Sequence, residues 1–211
     1  MGSVWAIVVA AGSGSRFGTD TPKQFRSLGA RRMLDWSLAA AGKTCDGVVA
    51  VLPADRLEPG AVAGGASRSA SVRAGLAAVP DDAEVIVVHD AVRPLAGPDL
   101  FDRVVAAVRA GADGAVPGIP VADTIKQVDP DGVRVIETLE RTTLRAVQTP
   151  QAFSAPVLRR AHARGSEATD DAALVEALGG TVVVVAGDVT NLKITRPEDF
   201  AVAESILARR P

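Results

Sequence analysis

The chain is poor in several features that would commit it to a large class of proteins. Cys45 is the one cysteine among 211 residues, which excludes an internal disulfide and any cysteine-rich metal site. The apolar run near the start, Val4 to Ala11, is too short to span a bilayer, and no basic residue precedes it as in a secretory leader. No other run approaches membrane length. Met1-Gly2 resembles the start of a myristoylation site, but Ala6 stands where Ser or Thr is wanted. A cytoplasmic location without a membrane partner is therefore expected. The formal net charge is -2, so there is no global basic field to attract nucleic acid. Internal repeats and low-complexity tails are lacking as well.

Hydrophobic residues make up 47% and charged residues 23% of the chain, which is ordinary globular usage. The length suits one α/β domain covering residues 1–211, with a core of useful size. The stretch that organises the chain is Val4 to Gln24. Its apolar run, rich in β-branched residues and bounded by glycine, has the character of a strand buried on both faces. The strand then breaks into a loop carrying Gly12, Gly14 and Gly18 with Arg16 and Lys23. Glycines let main-chain N–H groups approach a ligand closely, and the two cations add fixed charge, a combination that suits a triphosphate. A dinucleotide fingerprint is disfavoured because Phe17 stands where the third glycine belongs and no acidic residue ends a second strand. A P-loop is disfavoured because Lys23 follows Pro22 and no Gly-Lys-Ser/Thr is present. The plain alternative is a tight strand-to-helix turn with surface cations.

Along the rest of the chain the pattern predicts helices over Met33–Gly42, Ser69–Val79, Pro98–Ala110, Pro156–Arg164, Asp171–Leu178 and Pro197–Arg209. It predicts strands over Val48–Leu52, Glu84–Val88, Gly114–Ile119, Val182–Ala186 and, more briefly, Asn191–Thr195. Pro53 to Gly65 reads as a surface loop, and Val147 to Phe153 as one short strand-like run. Asp123 to Glu137 alternates around Pro130-Asp131-Gly132, a hairpin signal that interrupts the α/β alternation. A two-stranded arm over 123–141 is marginal alone, so it is expected to pack on something, with a dimer contact as the natural use. Ligands of doubly wound sheets gather at the carboxyl ends of strands, which makes Asp90 a candidate for a ribose hydroxyl or a metal. His89 more plainly satisfies a local hydrogen bond. Thr169 reads either as a helix cap or as a substrate contact, and Lys193 either as an edge-strand charge or as a cation facing an anion.

Six segments occur in one order: A-A-G-S-G-S-R-F-G with P-K-Q, then G-G-x-x-R-x-x-S (Gly64–Ser71), H-D-A-V-R-P (His89–Pro94), D-T-I-K (Asp123–Lys126), Q-T-P-Q (Gln148–Gln151) and N-L-K-I-T-R-P-E-D (Asn191–Asp199). Together they resemble the 2-C-methyl-D-erythritol 4-phosphate cytidylyltransferases over nearly the whole chain. The resemblance implies an α/β, Rossmann-like nucleotidyltransferase fold, a mostly parallel twisted sheet with an inserted β-hairpin arm, and a homodimer built through that arm. It implies transfer of CMP from CTP to a polyol phosphate, dependent on Mg2+ or another divalent cation carried mainly by the CTP phosphates, with no protein residue assigned as a metal ligand. By the same resemblance Arg16 and Lys23 hold the triphosphate, with Lys193 joining them in the catalytic set. Ala10, Ala11, Gly12 and Gly14 line the nucleotide, Gly65 and Ser71 read cytosine, and Asp90 and Ala91 meet the ribose. Arg93, Thr124, Arg141, Thr149, Thr169 and Lys193 form the acceptor site, Thr124 and Arg141 arriving on the arm of the other subunit.

The chain departs from the family pattern at Ala66, where many relatives carry an acidic residue, so base selection is expected to rest on the Gly65 backbone and the Ser71 hydroxyl. The segment from Pro53 to Gly64 is also short. A ribitol 5-phosphate cytidylyltransferase shares all but the acceptor pocket. From a different class, a non-catalytic nucleotide-binding protein would bind CTP without releasing pyrophosphate.

Overall fold

The apolar run at the start of the chain becomes an inner strand of an eight-stranded sheet. The computed structural model describes residues 2–12 and 22–210. Strand β1 (Val4–Val9) is followed by a small hairpin, β2 (Ser27–Leu28) and β3 (Arg31–Arg32), and helix α1 (Met33–Ala41). Then come β4 (Gly47–Leu52), β5 (Val62–Ala63), α2 (Arg68–Leu76), β6 (Val85–Asp90), α3 (Pro98–Arg109) and β7 (Gly114–Pro120). The hairpin arm is β8 (Lys126–Val128) and β9 (Val135–Thr138); β10 (Arg145–Val147), β11 (Gln151–Ser154), α4 (Ala155–Ala163), α5 (Asp171–Glu176), β12 (Val182–Ala186) and α6 (Glu198–Leu207) complete the chain.

β1 pairs in parallel with β4 on one side and β6 on the other, and β4 pairs in parallel with β5. β7 and β12 are also parallel, whereas β11 runs antiparallel to both β6 and β7. Because Gly118 is partnered by Val147 of β10 and by Ala186 of β12, these two strands lie on opposite edges of β7. The chain leaves β1 towards β4 and returns to β6 on its other side, so the strand order reverses between β1 and β6. In open α/β sheets a ligand crevice forms at the carboxyl ends of the strands at such a reversal.

Both faces of the inner strands β1 and β6 are covered, as their unbroken apolar runs require. Val4, Ala6 and Val8 of β1 and Val85 and Val87 of β6 pack with Leu34, Phe101 and Val104 from α1 and α3. Ile7, Ile86 and Val88 point the other way, to Val72 and Leu76 of α2, Leu158 of α4 and Val175 of α5. A third cluster joins Leu28, Met33, Leu95 and Ile194 beneath α6. It docks the segment before α6 against the chain that follows β6.

Three expectations change. Residues 53–65 are not wholly irregular: Ala54–Arg56 forms a 3-10 turn and β5 adds a short edge strand to β4, since two residues suffice for that pairing. Asn191–Thr195 is not a strand. Its amides bond to turn carbonyls and to Val92 rather than to a neighbouring strand, while the apolar Leu192 and Ile194 insert into the third cluster. The run from Val147 to Phe153 is two strands, divided at the cis Thr149–Pro150 bond. The hairpin forms as expected, with Gly132 at φ 73° in its turn and the Asp129 carboxylate accepting from the amides of Val133 and Arg134. Only glycine takes that turn angle without strain.

Candidate functional site

Asp90 ends β6 at the strand-order reversal. Its Oδ1 accepts from Arg68 Nε at 3.0 Å and its Oδ2 from Lys193 Nζ at 2.9 Å. Burial would raise its pKa, but the cations of Arg68 and Lys193 outweigh that and hold it well below the usual carboxylate range. Arg68, in the first turn of α2, also donates to Asp171 Oδ2 at 2.8 Å, and the other oxygen of that buried carboxylate lies 2.9 Å from His162 Nε2. Burial acts against the Arg68 charge, yet Asp171 and Asp90 hold its pKa above the ordinary value.

A cleft of about 210 Å3 opens beside this cluster, and Asp90, Arg93, Thr149, Thr169 and Lys193 all line it, together with Arg68 and Gln148. Five residues predicted from separate parts of the sequence thus meet around one cavity. Arg93 is braced by the carbonyl of Asn191, which accepts from it at 2.8 Å. Gln148 Nε2 donates to the Asp188 carbonyl at 2.8 Å and Asn191 Nδ2 to the Thr149 carbonyl at 2.9 Å, which fixes the segment bearing Lys193. The cap of α5 is Asp170, whose carboxylate accepts from the Ala173 amide, so Thr169 is not the cap and its side of the helix entrance borders the cleft.

His89 is fully buried and serves the fold locally. The Thr149 hydroxyl accepts the Asp90 amide at 3.1 Å and stands 3.1 Å from His89 Nδ1. Burial, aided by the neighbouring Arg93 guanidinium, pushes the imidazole down to about 4, so it is neutral at ordinary pH. It has no exposed surface with which to reach a substrate.

The residues predicted to line a nucleotide gather around the carboxyl end of β1. Gln24 is buried and donates to the carbonyls of Ala10 at 2.6 Å and Gly12 at 2.9 Å, bracing the root of the glycine loop. A Cβ on Gly64 would stand 2.2 Å from the Ala11 Cβ, so glycine is needed for the β5 exit to pass β1 this closely. The Gly65 amide donates to Ser71 Oγ at 3.2 Å, and that hydroxyl donates to the Ser67 carbonyl at 2.8 Å. Ala91 is buried and its amide is already committed to the Val9 carbonyl. Lys23 Nζ donates to the Ile194 carbonyl at 2.7 Å, one residue along from Lys193. Gly14 and Arg16 lie outside the described residues.

Thr124 and Arg141 are not brought to this cleft within the chain. Arg141 donates to the Ala122 carbonyl at 2.6 Å, at the base of an arm whose strands are exposed at every residue. What sequence reasoning left out is the support: Arg68, Asp171, Gln24, Gln148 and Asn191. All of these but Asp171 lie within quoted motifs, but bonds spanning up to 103 residues leave no local pattern.

The family model described as 2-C-methyl-D-erythritol 4-phosphate cytidylyltransferase matches residues 4–209. A protein of that name from Nocardia farcinica is 48% identical over 223 residues, covering 99% of this chain and 96% of that one. Another from Rubrobacter xylanophilus is 43% identical over 228 residues, covering 100% and 97%. The crystal structure of the enzyme so named from Thermus thermophilus superposes with a TM-score of 0.81 at 36% identity, covering 96% of this chain and 98% of the other. A synthase structure from Anaerococcus prevotii gives a TM-score of 0.84 at 28% identity, covering 99% of each. Sequence likeness at this level over essentially full length, on the same nucleotidyltransferase fold, means that the chain belongs to the 2-C-methyl-D-erythritol 4-phosphate cytidylyltransferase family, the cytidylyltransferases of the non-mevalonate isoprenoid pathway.

Proposed function

We propose that this protein transfers CMP from CTP to 2-C-methyl-D-erythritol 4-phosphate, giving 4-diphosphocytidyl-2-C-methyl-D-erythritol and pyrophosphate. The observation that carries this reading is the convergence of Arg93, Lys193, Thr149 and Thr169 with Asp90 on one small cleft at the carboxyl end of β6. Cations and hydroxyls around a cavity of that size suit a short polyol phosphate better than a nucleoside triphosphate.

A phosphate oxygen of the acceptor attacks the α-phosphorus of CTP in line; the new O–P bond forms as the bond to the bridging oxygen breaks and pyrophosphate departs. The acceptor phosphate is ionised at neutral pH, so no general base is required, consistent with the burial of His89. Two anions must be held together while charge builds on phosphorus oxygens and the leaving group, so positioning and fixed positive charge supply the catalysis. Lys23 and Arg16 serve the triphosphate, while Lys193 and Arg93 serve the acceptor. Gly65 and Ser71 meet the base, Asp90 the ribose, and Ala10, Ala11, Gly12 and Gly14 the nucleotide backbone.

A divalent cation, Mg2+ by expectation, fits as a companion of the triphosphate. Among the described residues no three His, Cys, Asp or Glu side chains cluster as ligands, and both Asp90 oxygens already face cations. Bound in that way it would neutralise charge on the phosphates. The exposed arm fits a homodimer in which a second copy brings its Thr124 and Arg141 to the acceptor cleft. No helix among the described residues is long and apolar enough to cross a membrane, and a cytoplasmic location completes the proposal.

The test is pyrophosphate release with CTP, Mg2+ and 2-C-methyl-D-erythritol 4-phosphate, beside ribitol 5-phosphate and with ATP, GTP or UTP in place of CTP. Release that requires CTP and the methylerythritol acceptor is expected. Release with ribitol 5-phosphate alone overturns the acceptor, and CTP binding without any release overturns catalysis.

A further inference from the structure

Two cations share the Asp90 carboxylate, but they are held very differently. The Arg68 fork spans two carboxylates on separate elements, Asp90 at the end of β6 and Asp171 in the first turn of α5. Asp171 is itself 0% exposed and anchored behind by His162. Lys193 reaches Asp90 through a single hydrogen bond from a flexible stem, and its side chain is 45% exposed against 23% for Arg68. Displacing Arg68 would strip two buried carboxylates of a charge partner, a strongly unfavourable step, whereas moving Lys193 releases one half-exposed ammonium.

We propose that Arg68 is a positioning residue that holds Asp90 throughout by one oxygen, so that Lys193 is the cation that leaves Asp90 for the incoming phosphate and frees the other oxygen to accept a substrate hydroxyl. This rests on the cytidyl-transfer reading above. With Arg68 in place, Asp90 still faces a cation after Lys193 has moved, and stays ionised and aimed. Without Arg68, Lys193 becomes the remaining partner of a buried carboxylate, and a phosphate has to compete with that carboxylate for it. Arg68 therefore sets how readily the acceptor recruits Lys193, although Arg68 itself need not touch the acceptor.

The exchange predicts a separation of KM from kcat. Arg68→Met is expected to raise the KM for 2-C-methyl-D-erythritol 4-phosphate at least about tenfold, the scale of one lost charge pair, with kcat at saturating acceptor changed only a few-fold. Because Arg68→Met also leaves Asp171 without its partner, the double variant Arg68→Met with Asp171→Asn removes that buried charge and is expected to keep the raised KM in a stably folded protein. Arg68→Lys in the Asp171→Asn background returns one cation to Asp90 and is expected to restore most of the KM. An unchanged acceptor KM in the double variant, or no recovery with Arg68→Lys, overturns the proposal.

The unmodified protein supplies a readout that does not depend on any variant folding. In side-chain nitrogen NMR spectra, adding the acceptor is expected to shift the Lys193 ammonium while the Arg68 Nε–H keeps its bonded position; a moving Arg68 with a stationary Lys193 overturns the exchange. If the unmodified protein releases no pyrophosphate from CTP with this acceptor, the cytidyl-transfer reading falls and takes the proposal with it. Release with wild-type KM in the variants defeats the proposal alone.

Discussion

The cleft beside β6 and the hairpin arm handle polar and apolar groups in opposite ways. In the cleft, charged side chains are drawn inside and then satisfied: Asp171 is completely buried but paired with both Arg68 and His162, and Asp90 is paired twice. In the arm, apolar side chains are pushed outside: Val133 in the turn is 83% exposed and Ile136 on β9 56%, and the two strands form a sheet of their own. A buried charge persists when its partners are fixed by tertiary packing, and an exposed apolar strand pair persists when it has a surface to cover. The charges of the first region are therefore paired within one chain, and the second has the character of half an interface.

The sharpest way to break this contrast is to unpair the cleft. Asp171→Ala leaves Arg68 and His162 without their shared carboxylate and is expected to cost about 3–5 kcal/mol in denaturant unfolding. A cost below about 1 kcal/mol would mean that the network is not a structural unit.

The burial of His89 adds a pH dependence of known sign. Its pKa is about 4 in the folded protein against 6.5 when free, so between these values the unfolded chain binds more protons and stability falls as pH is lowered from 6.5 towards 4. The full loss is roughly 3 kcal/mol, and His89→Gln is expected to flatten that slope. An identical slope in the variant assigns the effect elsewhere. Asp90 acts in a lower window: its folded pKa is depressed, so its stabilisation is complete above the ordinary value of 3.8 and is lost only as the pH drops further.

Lys23→Ala probes chemistry instead of folding. Turnover is expected to fall about a hundredfold while thermal unfolding shifts by only a few degrees, although the hydrogen bond to the Ile194 carbonyl is lost. Wild-type turnover would remove Lys23 from the reaction. The smallest effect on the single chain belongs to the arm, where Ile136→Ser is expected to change unfolding stability by no more than about 0.5 kcal/mol. If the arm is the proposed dimer contact, the same variant weakens self-association in sedimentation; unaltered association would remove Ile136 from that contact.

Much of the fold was legible because its signals are local. Buried parallel strands are continuous apolar runs, and Val4–Val9 and Val85–Asp90 stand close to where those runs place them, as does the partly exposed edge strand Val182–Ala186. Pro98 at the start of α3 and Gly132 in the hairpin turn mark boundaries through backbone geometry that each residue carries with it. The short edge strand β5 was hidden by its Pro- and Gly-rich surroundings. The segment Asn191–Thr195 misled because Leu192 and Ile194 alternate as a strand would, while their burial under α6 needs no strand pairing.

The same division holds for the site. By itself the sequence determined that a glycine-rich segment with cations follows an inner strand and that Asp90 closes another, and its likeness to the family singled out Arg93, Thr149, Thr169 and Lys193 as acceptor residues. Only the tertiary structure decided that these residues face one cleft, that Thr124 and Arg141 stay away from it within the chain, and that Arg68 joins Asp90 to Asp171. Backbone preferences act over a few residues and are written into the chain, whereas an ion pair across 103 positions exists only once packing has brought its partners out of water together.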